Sequence, residues 1–476
     1  MIKQFHAWGD KSPYSWCMKT TSGHCVLSLI LGLAYMSQQN LAVAQQLAAG
    51  AQHTLVLCNE GVVNDFGWNL FGQLGNGFSN SNVPLEVDQL TVVTDVGAGI
   101  NHSVALKSDG TLWAWGYNDL GELGNGTNQD SNIPIEVAGL TNVTQVSSKY
   151  HNLALTSDGT VYAWGYNVYG ELGNGTSDDS NVPVAVSGLT GVTSIACAYY
   201  HSLAIKDDGS VWAWGYNGSG ELGDGGNLNS SIPVQVSVST DVVELAGGNS
   251  FSLALKSDGT VWSWGSNFEG ELGNGNNANT NVPGQVVGLT GIVAIACGVY
   301  HSLAVKDDGT VWTWGFNLYG QLGDGSNADS NVPMQVPGLV GIVAVAGGYG
   351  QSIAMDSDGN AWTWGQNTYG QLGNGSNADT NLPVQVEGLC PTIISTHEIS
   401  SNLHIQVFLH PVDRILIVRG THENGMLTLL DETGRELMIV HAGEEETSVE
   451  TGELSSGMYF VRYTEGTSDV VSKWVQ

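Results

Sequence analysis

The sequence predicts an all-β chain: a seven-bladed β-propeller of four-stranded blades followed by a small β-sandwich. Three observations carry this. A twelve-residue phrase recurs seven times, as FGWNLFGQLGNG from Phe66, WGYNDLGELGNG from Trp115, WGYNVYGELGNG from Trp164, WGYNGSGELGDG from Trp214, WGSNFEGELGNG from Trp264, WGFNLYGQLGDG from Trp314 and WGQNTYGQLGNG from Trp364. Successive copies start 49 or 50 residues apart, a period that marks a repeat architecture. Within each copy the apolar residues alternate with period two, and no stretch has a helical period.

The fourth copy shows the elements. Alternation at 192–196, 202–205, 210–214 and 232–236 predicts four short strands. Asp208-Gly209 is a tight-hairpin signal between the second and third. Four strands repeated seven times match propeller blades. A solenoid would need polar caps, and neither end of the array has one. Eleven of the 15 Trp fall at two positions of the third strand, such as Trp113 with Trp115 and Trp362 with Trp364. Both positions are expected to fill the space between blades, each side chain burying roughly 150–250 Å².

The ends differ from the array. Lys19 and His24 precede an apolar run from Cys25 to Tyr35, and Ala42-Val43-Ala44 stands before Gln45. This basic, apolar, small-x-small order reads as an export signal over 1–44, cleaved after Ala44 and opened better by Met18 than by Met1. The run is too short to anchor the chain in a bilayer, and no membrane span is expected once it is removed. After residue 390 the repeats stop. Residues 391–402 read as a linker, and 403–476 as a β domain with strands at 403–409, 415–419, 426–431, 436–441, 458–463 and 470–475. The run Glu444–Glu446 reads as a loop.

Charge narrows the partners. The chain has 13 basic and 45 acidic residues, net −32, which repels phosphate backbones and argues against nucleic acid. No nucleophile elbow, HExxH or phosphate loop is present, so an enzyme is not expected. The GELGNG runs lack the following helix of a nucleotide fingerprint. No cofactor is expected. His53, His102, His151, His201 and His301 open the second strand in five copies, where Phe251 and Gln351 take the other two places. Equivalent positions spread around a ring cannot converge on one zinc ion, so these imidazoles read as packing. The Asn- and Asp-rich loops lack the spacing of a calcium loop and carry what turns require.

Antiparallel strands put the first turn and the third-to-fourth loop on one face. Tyr150, Tyr200, Tyr300 and Tyr349 lie at the first turn, and Tyr117, Tyr166, Tyr216 and Phe316 follow the WG pair. Aromatic side chains with polar tips suit a protein or glycan ligand; they also suit packing between loops. The opposite face carries Lys-x-Asp-Gly hairpin tips, expected to be solvated.

The segments ALKSDGTLWAWGYNDLGELGNG from Ala105 and AVKDDGTVWTWGFNLYGQLGDG from Ala304 resemble repeats of the regulator-of-chromosome-condensation family. That resemblance covers 46–389 and implies a seven-bladed propeller; it does not fix a function, because members range from a nuclear exchange factor to a secreted β-lactamase inhibitor. HPVDRILIV from His410, LTLLDETGREL from Leu427 and LSSGMYFVRY from Leu454 resemble the C-terminal sorting domain of the type IX secretion system of Bacteroidota. Leu409-His410-Pro411 stands where that family usually has Pro-Asn-Pro. The resemblance implies contact with the secretion machinery and an extracellular or outer-surface location. The expected role is a secreted or surface-held binding or adhesion protein; an enzyme inhibitor or effector, and a polysaccharide-active enzyme, are the alternatives.

Cysteines complete the reading. Cys197 and Cys297 share a position filled elsewhere by Ala, Ser or Gly and read as small buried residues. Cys58 aligns with the end of a second strand and Cys390 with the residue just ahead of a first strand. If the ring closes, the two lie opposite and a disulfide would staple the first blade to the last.

Overall fold

The computed structural model describes residues 46–58, 61–87 and 89–389, with eight C-terminal strands between 392 and 475. The export signal and Cys390 lie outside the described residues. Every regular element described is a strand. The array forms seven four-stranded antiparallel sheets, each from four consecutive strands laid side by side in chain order. In blade 4 these are Val192–Cys197, His201–Lys206, Val211–Gly215 and Ser230–Gln235, within two residues of expectation. Blade 1 runs over 46–86 and blade 7 over 342–385.

The apolar residues sit between blades. Trp214 of blade 4 packs with Leu153, Leu155, Val161 and Leu172 of blade 3 and with Ile195 and Ala204 of its own sheet. It is fully buried, worth about 4–6 kcal/mol of apolar transfer. Its indole Nε1 donates to the Glu171 carbonyl at 2.7 Å, and Trp164, Trp264, Trp314 and Trp364 repeat the bond. The glycine of each LGNG phrase lies under the next blade's ring. A Cβ on Gly173, at φ +63°, would fall 2.7 Å from the Trp214 Nε1, so this seat excludes side chains.

Only one of the two tryptophan positions is core. Trp115, Trp164, Trp214, Trp264, Trp314 and Trp364 are fully buried, but Trp113, Trp212, Trp262, Trp312 and Trp362 are half-buried. Period two explains the correction: the pair W-x-W lies on one face of the strand, but the first Trp sits toward the hairpin end, where the blade interface opens. There lysines cover it. The Lys256 ammonium stands 4.0 Å from the Trp262 ring centre, and Lys107 and Lys206 stand at 5.2 and 5.8 Å from Trp113 and Trp212. The hairpin tips are thus partly folded back on the blades.

The histidines are inter-blade ties. His53, His151, His201 and His301 Nε2 pair with the hydroxyls of Ser103, Ser202, Ser252 and Ser352 in the next blade at 2.6–3.0 Å, and His102 with Asn152 at 2.8 Å. Burial lowers the pKa of His53, His151, His201 and His301 to about 3 and of His102 to about 4. The same hydroxyls donate back to a buried loop carbonyl, as Ser202 does to Glu171 at 2.8 Å. Between blades 7 and 1 the motif persists: Gln351 Nε2 donates to the Gly50 carbonyl at 3.1 Å and Thr54 Oγ1 to the Gln371 carbonyl at 3.0 Å. Gly373 lies under Phe66, and Val386 joins Ala49, Val56, Cys58 and Phe66 in one cluster. The ring therefore closes blade to blade, without exchanging a strand.

Past the array, two four-stranded antiparallel sheets form. One orders Thr392–Ser400, Leu403–His410, Ile415–Thr421 and Glu445–Glu450; the other orders Glu436–His441, Met426–Asp431, Met458–Glu465 and Ser468–Val475. Two expectations are corrected. The segment read as a linker is largely the strand Thr392–Ser400, and the glutamate run opens the strand Glu445–Glu450. Both are edge strands of their sheet, where polar and charged residues block further pairing, and such residues hide a strand from a hydrophobic pattern. Leu427, Thr428, Leu429 and Leu430 are all buried, as in a strand covered on both sides.

Candidate binding face

The face that carries the first turns is built by the backbone. Six of the seven turns are tied to a neighbouring turn by one amide; the seventh, at Lys149, donates its amide to His151 O of its own blade at 2.9 Å. Ala51 N donates to Ile100 O, Ile100 N to Lys149 O, Tyr199 N to Gly248 O, Asn249 N to Val299 O, Val299 N to Gly348 O and Tyr349 N to Ala51 O, at 2.9–3.2 Å. These bonds place residues 51, 100, 149, 199, 249, 299 and 349 around the axis, with 52, 101, 150, 200, 250, 300 and 350 one step outward. A second set of bonds brings the end of the third strand beside the turn: Tyr216 N to Tyr200 O at 2.8 Å, Tyr166 N to Tyr150 O at 3.4 Å and Phe316 N to Tyr300 O at 2.9 Å. The WG glycine permits this approach. Gly215 has φ +106°, and a Cβ there would lie 2.7 Å from the Tyr200 carbonyl.

The eight aromatic residues singled out in the sequence fall into three groups. Tyr150, Tyr166, Tyr200 and Tyr216 join Tyr169 and Tyr199 in one continuous cluster over blades 3 and 4. Tyr150 and Tyr200 stack at 5.1 Å, and Tyr169 bridges Tyr200 and Tyr216 at 5.8 and 4.9 Å. Tyr300, Phe316 and Tyr349 form a second group with Tyr319. Tyr117 stands apart from both, edge-on to Phe71 at 4.9 Å, in a group that includes Trp68 and Tyr369. Tyr117, Tyr166, Tyr200, Tyr216, Tyr300 and Phe316 are half-buried, and Tyr349 is 37 % exposed. Burial raises the pKa of Tyr117 to about 12 and pushes Tyr166, Tyr199 and Tyr200 upward, so these phenols keep their protons.

At the axis the face opens into a cavity of about 350 Å³. Tyr150, Tyr199, Tyr200, Tyr300 and Tyr349 line it, and Gln52, Asn101 and Asn249 add amides. Beneath lies the axial channel, about 210 Å³, bounded by the inner strands. Its wall is the small-residue position: Ala49, Ala98, Ser147, Gly247 and Gly347, with the free thiols of Cys197 and Cys297. Burial raises the Cys197 thiol to about 12, which leaves it unreactive.

Three residues of this centre escape a sequence reading. Lys149, Tyr199 and Asn249 occupy the axial step of the turn. Lys149 Nζ donates to the Ala49 carbonyl at 3.2 Å and stands 5.4 Å from the Tyr199 ring centre; burial lowers its pKa to about 8. The available signal was variation: the seven repeats place Ala, Ile, Lys, Tyr, Asn, Val and Tyr at this one position.

The polar loops around the face are satisfied internally. Asn118 N donates to Asp130 Oδ1, its Nδ2 donates to the Thr127 and Gln129 carbonyls, and its Oδ1 accepts from Leu123 N. Among the described residues no group of three or more acidic, His or Cys side chains is arranged to hold a metal.

The comparisons agree with this architecture. A family model described as the RCC1-like domain matches residues 4–240. The regulator of chromosome condensation (RCC1) repeat matches 258–305, 308–355 and 358–393, and a secretion system C-terminal sorting domain matches 406–476. No curated protein matches the chain. Among solved structures, human WBSCR16 is similar at 24 % identity and TM-score 0.62, over 70 % of this chain and 94 % of that one. Yeast RCC1 (Prp20), bound to Kap60, is similar at 22 % and 0.62, over 73 % and 85 %. Prp20p from Saccharomyces cerevisiae in a separate structure gives 23 % and 0.62, over 73 % and 88 %. Such identities speak to the fold alone. The closed seven-bladed ring, the repeat matches over most of its length and the matched tail together place this chain in the regulator-of-chromosome-condensation repeat family, with a secretion sorting domain at its C-terminus.

Proposed function

We propose that the protein is a non-enzymatic binding protein, released outside the cell or held on its surface, that takes a macromolecular ligand on its aromatic face. The observation that carries this is the seat one step out from the axis. The seven blades fill it with Gln52, Asn101, Tyr150, Tyr200, Ser250, Tyr300 and Gly350, all on the same hydrogen-bonded turn. A seat that accepts Gly and Ser does not need Tyr for folding. Tyr150 and Tyr200 stack across neighbouring blades, and all three tyrosines remain half-exposed, as contact residues do. The matched sorting domain supports passage through a secretion system and a surface or extracellular location. The acidic balance of the chain supports a ligand other than nucleic acid.

A disulfide between Cys58 and Cys390 belongs to the same proposal. Leu389 packs in the Cys58 cluster beside Phe66 and Val386, and Cys58 is not among the free thiols of the described residues. Non-reducing peptide mapping reads it directly. For the binding role, the mature protein is immobilised against glycans and envelope proteins. Combined Tyr150→Ala, Tyr200→Ala and Tyr300→Ala abolishes capture, while Lys107→Ala, Lys206→Ala and Lys306→Ala on the hairpin face leaves it intact. Equal capture by both sets refutes the assignment.

A further inference from the structure

The cavity at the axis differs in chemistry from the face around it. Its walls are phenol rings with Ala51, Ile100 and Val299 between them, and its other polar side chains are the neutral amides of Gln52, Asn101 and Asn249. No carboxylate lines it, although the chain carries net charge −32. A cation stands beside it: the Lys149 ammonium lies 5.4 Å from the Tyr199 ring centre. Tyr199 is only 4 % exposed, and its hydroxyl has no hydrogen-bond partner among the described residues. A buried donor left unmet is costly in a folded protein.

We infer that this cavity holds one neutral sugar unit, the terminal pyranose of a glycan; the inference rests on the aromatic face being the binding face and names what its centre recognises. Flat phenol rings match the C–H faces of a pyranose. The amides offer donor and acceptor together, as vicinal hydroxyls require. The Tyr199 hydroxyl gains the partner it lacks. A cationic side chain is disfavoured by Lys149 and by the missing carboxylate. An anionic sugar finds a single ammonium, already bonded to the Ala49 carbonyl, within an acidic protein. The volume, about 350 Å³, lies at the small end of ligand sites, about 300–1,000 Å³, which suits a chain end.

The test titrates the full mature protein with the methyl glycosides of glucose, galactose and N-acetylglucosamine, with glucuronate and tetramethylammonium in parallel, by calorimetry or saturation-transfer NMR. At least one neutral glycoside binds saturably and the two charged probes do not. Tyr199→Phe, which removes only the unpartnered hydroxyl, weakens binding by about three- to tenfold with a melting temperature no lower than that of wild type. Tyr349→Ala at the exposed wall weakens it as well. No saturable neutral glycoside, preference for tetramethylammonium, or a Tyr199→Phe affinity equal to wild type overturns the inference. If sugars fail while the Tyr150, Tyr200 and Tyr300 replacements still abolish capture, the cavity inference falls and the face assignment stands. If sugars bind through Tyr199 while capture survives those replacements, the face assignment falls instead.

Discussion

The two faces of the ring are made by the same repeat and follow different rules. On the hairpin face the aspartates of four described tips close on their own hairpins. Asp109, Asp208, Asp258 and Asp308 accept the amide and hydroxyl of the residue two places on, and these bonds hold their carboxyl groups below the usual range. Lysines lie over their own blade's Trp. On the aromatic face the backbone tie recurs in six of the seven turns, but the side chains on it change from blade to blade. The lesson is that folding accounts for the uniform residues, which build the blade, and leaves the varied ones on the shared backbone as the positions to which the proposed binding role is assigned.

Three sets of changes break or sharpen this contrast. The first concerns the shared interior. Trp214→Ala, which empties a fully buried seat, lowers unfolding free energy by about 3–5 kcal/mol, while Trp212→Ala at the half-buried hairpin end costs about 1 kcal/mol; chemical denaturation measures both. Equal costs would erase the distinction between the two Trp positions.

The second is a pH experiment on the loops of the aromatic face. Glu122, Glu171, Glu221 and Glu271 are buried at the seat that Gln73, Gln321 and Gln371 fill in other blades. Burial raises Glu122 and Glu171 to about 8 and Glu221 and Glu271 to about 7. The native state therefore keeps protons that the unfolded chain releases. Their stabilisation is complete below the ordinary glutamate range and is lost as pH rises toward 8. Glu171→Gln matches wild type near pH 4.5 and exceeds it by roughly 1–3 kcal/mol at pH 8.5. The histidine ties act in the other direction: their depressed pKa values give stability present above about pH 6.5 that is lost as pH falls toward 3. A Gln variant with no pH-dependent gain would show that Glu171 is not a neutral loop member.

The third and smallest concern single ties. Lys256→Ala removes the closest cation–ring contact and costs about 0.5–1 kcal/mol, without changing capture on the far face. His201→Phe places in blade 4 the residue that blade 5 carries as Phe251; it leaves the Ser252 hydroxyl with its bond to the Glu221 carbonyl and costs about 1 kcal/mol. A loss above about 3 kcal/mol would mark the histidines as more than interchangeable ties.

The blades were legible because a period of 49 or 50 residues and local alternation agree on the same four strands. Their assignment to faces followed from antiparallel order alone. What stayed hidden depends on closure. Whether Tyr199 or Tyr200 points to the axis is decided by amide bonds between neighbouring blades, which no single repeat encodes. The two roles of the W-x-W pair have the same cause, since both residues obey period two and only the flare of the blade interface separates them. Thr392–Ser400 and Glu445–Glu450 were missed because edge strands carry the polar residues that otherwise mark loops.

Hydrogen–deuterium exchange of the mature protein, free and saturated with the ligand that the capture assay returns, tests the central claim most directly. Protection confined to peptides over 147–151, 197–201 and 297–301, with the hairpins at 107–111 and 206–210 unchanged, is the predicted result. Protection at those hairpins, with the tyrosine turns exchanging as in the free protein, would contradict it.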